Sequence, residues 1–287
     1  MIALTKCWLA LTVIAAVPMI ARSDERPFNV SSYQDGASIA GHQKELATVT
    51  LRGKVSHAGP SDYHAVVAGV HVWLAEFPAS KDLNVRSDAK GWWTIPLLKE
   101  KDVPLKASLI YEKPGWITTK SNIYTITDQD DVDIAMQYCD PLLYRLLIKP
   151  LLQIMLQGQL PTGADATLKN AIVVTVGKSW ASMHCDRLPH GDPGATVNEI
   201  PGAFRPIYFD ERVKPNLKYA TTSVDGGVTW LNVPPGNHVL KASKKGVRYR
   251  DVEFSVTQDD AKNGVLLYIA SPPDGIQGDN ASPPGEN

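Results

Sequence analysis

Residues Thr222–Gly246 read TSVDGGVTWLNVPPGNHVLKASKKG, and this stretch decides the fold. Asp225-Gly226 opens a turn, after which Val228 and Trp230 alternate with Thr229 and Leu231 as strand residues do. Asn232-Val-Pro-Pro-Gly236 interrupts the strand, since neither proline can donate to a ladder and glycine suits a tight turn. His238–Ser243 resumes an extended run, and Lys244-Lys245-Gly246 turns again. The unit is strand, turn, strand.

A weaker copy lies upstream. Val49, Leu51, Gly53 and Val55 alternate with polar residues, as in a half-buried strand. Val70, Val72 and Leu74 share the face of a second strand. Asp88-Ala-Lys-Gly91 turns into Trp92–Ile95, and Leu105–Tyr111, Ile123–Ile126 and Val132–Met136 continue the pattern. Ile154, Leu156, Gly158 and Leu160 match Val49, Leu51, Gly53 and Val55 at an offset of 158 − 53 = 105. Gly226, Val228 and Trp230 match Gly91, Trp93 and Ile95, and Leu240–Ser243 repeats Leu105–Ser108, at an offset of 240 − 105 = 135. Short strands, Gly/Pro turns and an internal repeat predict an all-β chain: two tandem antiparallel β-sandwich domains joined by a short helical linker. The expected cores contain Leu51, Val72, Trp93 and Leu105 in one domain, and Leu156, Val174, Trp230 and Leu240 in the other.

The remaining boundaries follow from local composition. Met1–Ser23 reads as a secretory signal peptide: Lys6 is basic, Trp8–Ile20 is uncharged and apolar, and small residues follow. That run is short of the roughly 20 residues that span a bilayer, so no transmembrane segment is expected after cleavage, and the mature chain is expected to be secreted or periplasmic. Residues 24–46 form a polar lead-in and 47–138 the first sandwich. The linker covers 139–152, where Asp140-Pro141 starts a helix that Pro150 ends. The second sandwich spans 153–270 with an insertion at about 178–220, and the Pro/Gly-rich 271–287 is a tail. With 29 Lys+Arg against 30 Asp+Glu, the balanced charge argues against nucleic acid as a partner.

Asp225–Gly236, with Leu240–Gly246 behind it, resembles the carboxypeptidase regulatory-like family, whose domains are similar to transthyretin-like sandwiches. The resemblance spans about Thr48–Met136 and Gln153–Ile269, and the first copy lacks the Pro-Pro-Gly element. It implies seven-stranded sandwiches acting as accessory or ligand-presenting modules, and it brings no catalytic residues. Gly69–Ala75 is also similar to the first core strand of intradiol ring-cleaving dioxygenases. Their iron site needs a His-x-His pair, and none of the 7 histidines is two residues from another.

Candidate sites are few. In the insertion, Trp180, His184, Cys185, His190 and Asp192 gather imidazole, thiol and carboxylate that could bind Zn or Cu, or could be surface side chains of a tethered loop. His184, His190 and Asp192 are the candidate metal ligands, and no other cofactor is indicated. Lys244, Lys245 and Arg248, with Lys241 and Arg250, crowd one hairpin that could meet an anionic glycan or form a solvated edge that discourages strand pairing. Trp92 points away from the core that Trp93 joins, so it could stack on a sugar or pack under a loop. These features point to an exported, non-catalytic binding or scaffold protein with an envelope protein or glycan as partner. The alternative is an enzyme or metal-binding protein with its site at 178–220.

Signal cleavage would remove Cys7 and leave Cys139 and Cys185, an even pair in an oxidising compartment. The bond would close a loop of 185 − 139 = 46 residues, worth about 4 kcal/mol in the chain-entropy model. Mass spectrometry of the unreduced exported protein is expected to show the two joined; two free thiols would contradict the pairing.

Overall fold

The computed structural model describes residues 27–31, 45–58, 66–128, 132–139, 149–160, 167–178, 191–271 and 273. In chain order the strands are β1 (Phe28–Asn29), β2 (Leu46–Ala58), β3 (His71–Leu74), β4 (Trp92–Glu100), β5 (Leu105–Ala107), β6 (Leu109–Glu112), β7 (Thr119–Ser121), β8 (Tyr124–Ile126) and β9 (Val132–Cys139). After helix α1 (Lys149–Gln157) come β10 (Ala171–Val176), β11 (Thr196–Val197), β12 (Ile207–Phe209), β13 (Pro215–Asn216), β14 (Gly227–Leu231), β15 (Gly236–Leu240), β16 (Ala242–Ser243) and β17 (Val252–Val256). Helix α2 (Gln258–Asn263) and β18 (Leu266–Ser271) end the run. The chain is all-β in class.

The internal repeat is present in the backbone. Strand β2 pairs antiparallel with β4, Leu51 opposite Ile95 and Gly53 opposite Trp93, and parallel with β9, Leu51 opposite Val132. In the same way β10 pairs antiparallel with β14, Ile172 opposite Trp230 and Val174 opposite Val228, and parallel with β18, Ile172 opposite Leu267. The turn glycines match too. Gly91 and Gly226 have φ of 81° and 75°, and an added Cβ would come within 2.7 Å of Val55 O and 2.5 Å of Val176 O. Only glycine combines that backbone with that approach. The N–H groups of Val55 and Val176 donate to the carbonyls of Gly91 and Gly226, 2.9 Å each.

The 135 offset therefore holds, whereas the 105 offset does not. Val176, not Leu160, stands where Val55 stands, at 176 − 55 = 121. Ile154–Gln157, expected as the start of a strand, belongs to α1. Leu152 and Leu156 are buried and Met155 packs beside them, which is helical spacing, while Ile154 is exposed. Pro150, expected to end a helix, lies in the first turn of one, where its missing N–H costs nothing. The expected purely antiparallel sheets are in fact mixed, because β1–β4, β2–β9, β10–β18 and β18–β7 are parallel pairs.

The larger departure is that one sheet crosses both halves. Its order is β13-β12-β14-β10-β18-β7-β6-β3, beside a four-stranded sheet β1-β4-β2-β9. Residues directly opposite one another share a face. Trp230, Ile172, Leu267, Lys120, Ile110 and Trp73 therefore form one row. Leu231, Ala171, Leu266, Thr119, Tyr111 and Val72 form the next row, on the other face. The two cores consequently lie on opposite faces of the shared sheet. The first, with Leu51, Val72, Trp93, Leu105 and Tyr111, fills the space towards the four-stranded sheet, and it includes Tyr268 of β18. The second, with Val174, Val228, Trp230, Leu240 and Phe254, packs under β15 and β17. Leu156, expected in that second core, instead lies with Leu152, Ala171, Leu231 and Leu266 where α1 covers the first face. The seven remaining markers fall in the expected cores, and Trp93 is 2% and Trp230 0% exposed.

Side chains reinforce the junction. Lys120 of β7 is buried and its ammonium donates to Asp260 Oδ2 at 3.0 Å and to Ser255 O and Oγ at 3.2 Å. Asp260 also accepts from Thr257 N, completing a capping box at the start of α2. Removing one partner of a buried ion pair strands the other, a loss of about 3–5 kcal/mol. Lys120→Ala is accordingly expected to destabilise the protein by that amount, with urea unfolding followed by fluorescence and by circular dichroism giving one coincident transition. Separate transitions for the two halves would contradict the shared sheet.

Candidate functional site

A groove of about 590 Å³ opens beside this junction. Its lining comes from distant parts of the chain: Trp73, Ile110 and Glu112 from β3 and β6, Trp116–Thr118, Lys149 at the start of α1, Leu168-Lys169, and Asp259–Val265 around α2. Strand alternation aims Trp73 outward, because Val72 and Leu74 point into the first core. Trp116 is presented by a turn in which Trp116 N donates to Lys113 O at 2.9 Å. Pro114 sets the first central residue, and Gly115 takes the second at φ 81°, the type II pattern. A lysine ammonium stands over each ring: Lys81 over Trp73 at 5.0 Å and Lys113 over Trp116 at 5.2 Å. Neither tryptophan was singled out from sequence, although Lys113-Pro-Gly-Trp116 is itself a signal for a displayed aromatic.

Acids in the groove are largely compensated. Glu112 pairs with Lys81 at 2.9 Å, and Asp260 pairs with Lys120 at 3.0 Å. Lys149, Lys169 and Asp259 have no side-chain partner among the described residues.

Of the residues proposed from sequence, those among the described residues do not line this groove. Trp92 is half-buried on the outer face of β4, with the Lys54 ammonium 5.6 Å from its ring centre. Lys244 is ion-paired with Asp192, and Tyr249 donates its hydroxyl to the other oxygen of the same carboxylate. Burial pushes the Tyr249 phenol well up, and the Asp192 hydrogen bond adds to the shift. Asp192 is 7% exposed, and Thr222 Oγ1 donates to its backbone carbonyl at 2.6 Å. This anchors the insertion to the hairpin. Lys241 pairs with Asp251 at 3.4 Å, so the basic hairpin is partly neutralised, while Lys245 and Arg248 are exposed. Trp180, His184, Cys185 and His190 lie outside the described residues, as does the side chain of Cys139. Among the described residues no group of three His, Cys, Asp or Glu side chains converges, and no helix is long and apolar enough to cross a membrane.

The Pro-Pro-Gly turn proves to be a clamp. Asn232, at φ 53°, accepts from Lys169 N at 2.7 Å and donates to Thr167 O at 2.8 Å. Asn170 answers by bonding Val233 N and O, 2.9 Å each. Lys169 of the groove is thereby held by the stretch that identified the fold.

No protein-family model and no curated protein matches the chain. Among solved structures it is similar to the shaft pilin SpaA from Lactobacillus rhamnosus GG, at 11% identity over 82% of this chain and 100% of that one, TM-score 0.21. It is also similar to the Bacillus anthracis TIE protein, at 12% identity over 79% of this chain, TM-score 0.22, and spans 34% of that chain. Chlorocatechol 1,2-dioxygenase from Pseudomonas putida matches at 12% identity over 33% of this chain and 61% of that one, TM-score 0.22. Likenesses at these scores carry no argument about this chain.

One carboxyl is strongly perturbed. Asp225, in the turn before β14, is 3% exposed, and burial pushes it up to about 7 against the pull of the Gly227 N–H, with Asp210 adding to the rise. It is not among the residues that line the junction groove, and its bond to Gly227 N at 3.1 Å gives it a role in the turn. An acid whose folded value exceeds its unfolded 3.8 leaves stability intact below about pH 4 and withdraws it as pH rises towards 7. At about 1.4 kcal/mol per unit, the withdrawal is on the order of 4 kcal/mol. Asp225→Asn keeps an acceptor for Gly227 N, so the variant is expected to be more stable than the parent at pH 8 and no more stable at pH 4. Equal pH slopes in urea unfolding would contradict this.

Proposed function

We propose that the protein is a non-catalytic binding protein that works outside the cytoplasm, at the cell envelope, with the junction groove as its working surface. The groove carries the reading: two tryptophans with an isoleucine floor (Ile110, Ile117) are ringed by lysines, carboxylates and an amide, the mixture that binds and orients a ligand. Two of its three acids, Glu112 and Asp260, serve as partners for Lys81 and Lys120, which suits holding a ligand better than moving a proton. The apolar Trp8–Ile20 run supports export. A metal site on the insertion is the less favoured reading, since both oxygens of Asp192 are engaged by Lys244 and Tyr249.

Co-sedimentation with washed, insoluble envelope material from the producing cells tests this reading. The mature protein is expected to be retained saturably, and Trp116→Ala to weaken retention roughly tenfold, about 1.4 kcal/mol. Retention equal for parent and variant would place the working surface elsewhere.

A further inference from the structure

We propose that the groove takes an acidic oligosaccharide, a short chain containing uronic acid residues; this rests on the groove being the working surface. Three observations carry it.

The first is the pairing of aromatic and polar groups. A sugar ring has a C–H face that packs on an aromatic ring and a hydroxyl rim that needs donors and acceptors. Trp73, Trp116, Ile110 and Ile117 supply the apolar part, while Thr118, Asn263 and Asp259 supply the rim. The volume of about 590 Å³ falls in the usual ~300–1,000 Å³ of ligand sites.

The second is charge. Glu112 and Asp260 are spent on Lys81 and Lys120. Lys149 and Lys169, without side-chain partners among the described residues, face the single similarly placed acid Asp259. The surplus is positive, so a ligand carboxylate is matched and a cationic ligand is not.

The third weighs against a peptide. A peptide most readily joins a sheet edge through its backbone, and β3 ends the shared sheet beside the groove. That edge is already occupied: Val72 N donates to Val85 O at 3.0 Å, Gly69 N to Ser87 O at 2.8 Å, and Ser87 N to Val70 O at 2.9 Å. What is left open is side-chain chemistry, which a saccharide can use.

Calorimetric titration of the mature protein with three probes tests the proposal: tetragalacturonate, neutral cellotetraose and hexaglutamate. Tetragalacturonate is expected to bind at least tenfold more tightly than either other probe. Lys149→Ala/Lys169→Ala and Trp116→Ala are each expected to weaken it tenfold or more, with Trp116→Phe restoring most of the loss, and the thermal midpoint of each variant confirms folding. Equal or tighter binding of hexaglutamate, or indifference to Trp116→Ala, would reduce the groove to a patch of charge and overturn the proposal. Equal binding of cellotetraose would overturn the acidic specificity. If no probe binds while envelope retention still depends on Trp116, the saccharide is wrong and the binding surface stands; if retention is also independent of Trp116, both fall.

Discussion

The parallel pairing of β18 with β7 is the constraint on which the rest depends. Leu266, Leu267 and Tyr268 lie opposite Thr119, Lys120 and Ser121, and this short ladder fuses a sheet of one half to a sheet of the other. Strand β18 then serves both cores at once: Tyr268 enters the first while Leu267 and Ile269 enter the second. Three ladder rows alone would be a weak joint. The buried Lys120–Asp260 pair and the donation of Ile123 N to Glu253 O at 2.8 Å extend it, whereas the exposed Lys106–Glu253 pair adds little. Separation would expose Tyr268 and leave the Lys120 ammonium without its carboxylate, so the fused sheet is held by both apolar burial and charge.

The same joint creates the groove. Beyond Leu267 the row changes from second-core residues to Lys120, which reaches Ser255 of β17 and Asp260 of α2, and then to Ile110 and Trp73, which line the groove. Helix α2 rises at one side, α1 begins at another, and Lys169 is held by the Asn232 clamp. The groove thus forms where two copies of one motif meet, from residues separated by well over a hundred positions.

Much of the fold was legible in the sequence, and its failures have physical causes. The Asp-Gly turns and the Trp93 and Trp230 alternation were readable because a buried strand imposes period two and a left-handed turn imposes glycine. Ile154–Leu160 misled because its alternation overlaps the helical spacing of Leu152, Met155 and Leu156, and because a proline that stops one helix can equally begin another. The fusion of the halves was not legible, since a three-residue parallel pairing leaves no local pattern. The site was less visible still. Trp92 looked like the displayed aromatic but is accompanied by Lys54, and Trp73 could be seen to point outward without any sign of what it faced. Lys244 and Asp192, read as separate surface and metal candidates, are partners across 52 residues of sequence.

The central claim, that the two halves are one cooperative body, is tested most directly by native-state hydrogen exchange at residue resolution. The account predicts that the amides of β18 and β7 exchange only by global unfolding, with the same free energy as those of β4 and β14. Exchange of β7 and β18 through a lower-energy opening, while β4 and β14 stay protected, would show that the halves part without unfolding and would contradict it.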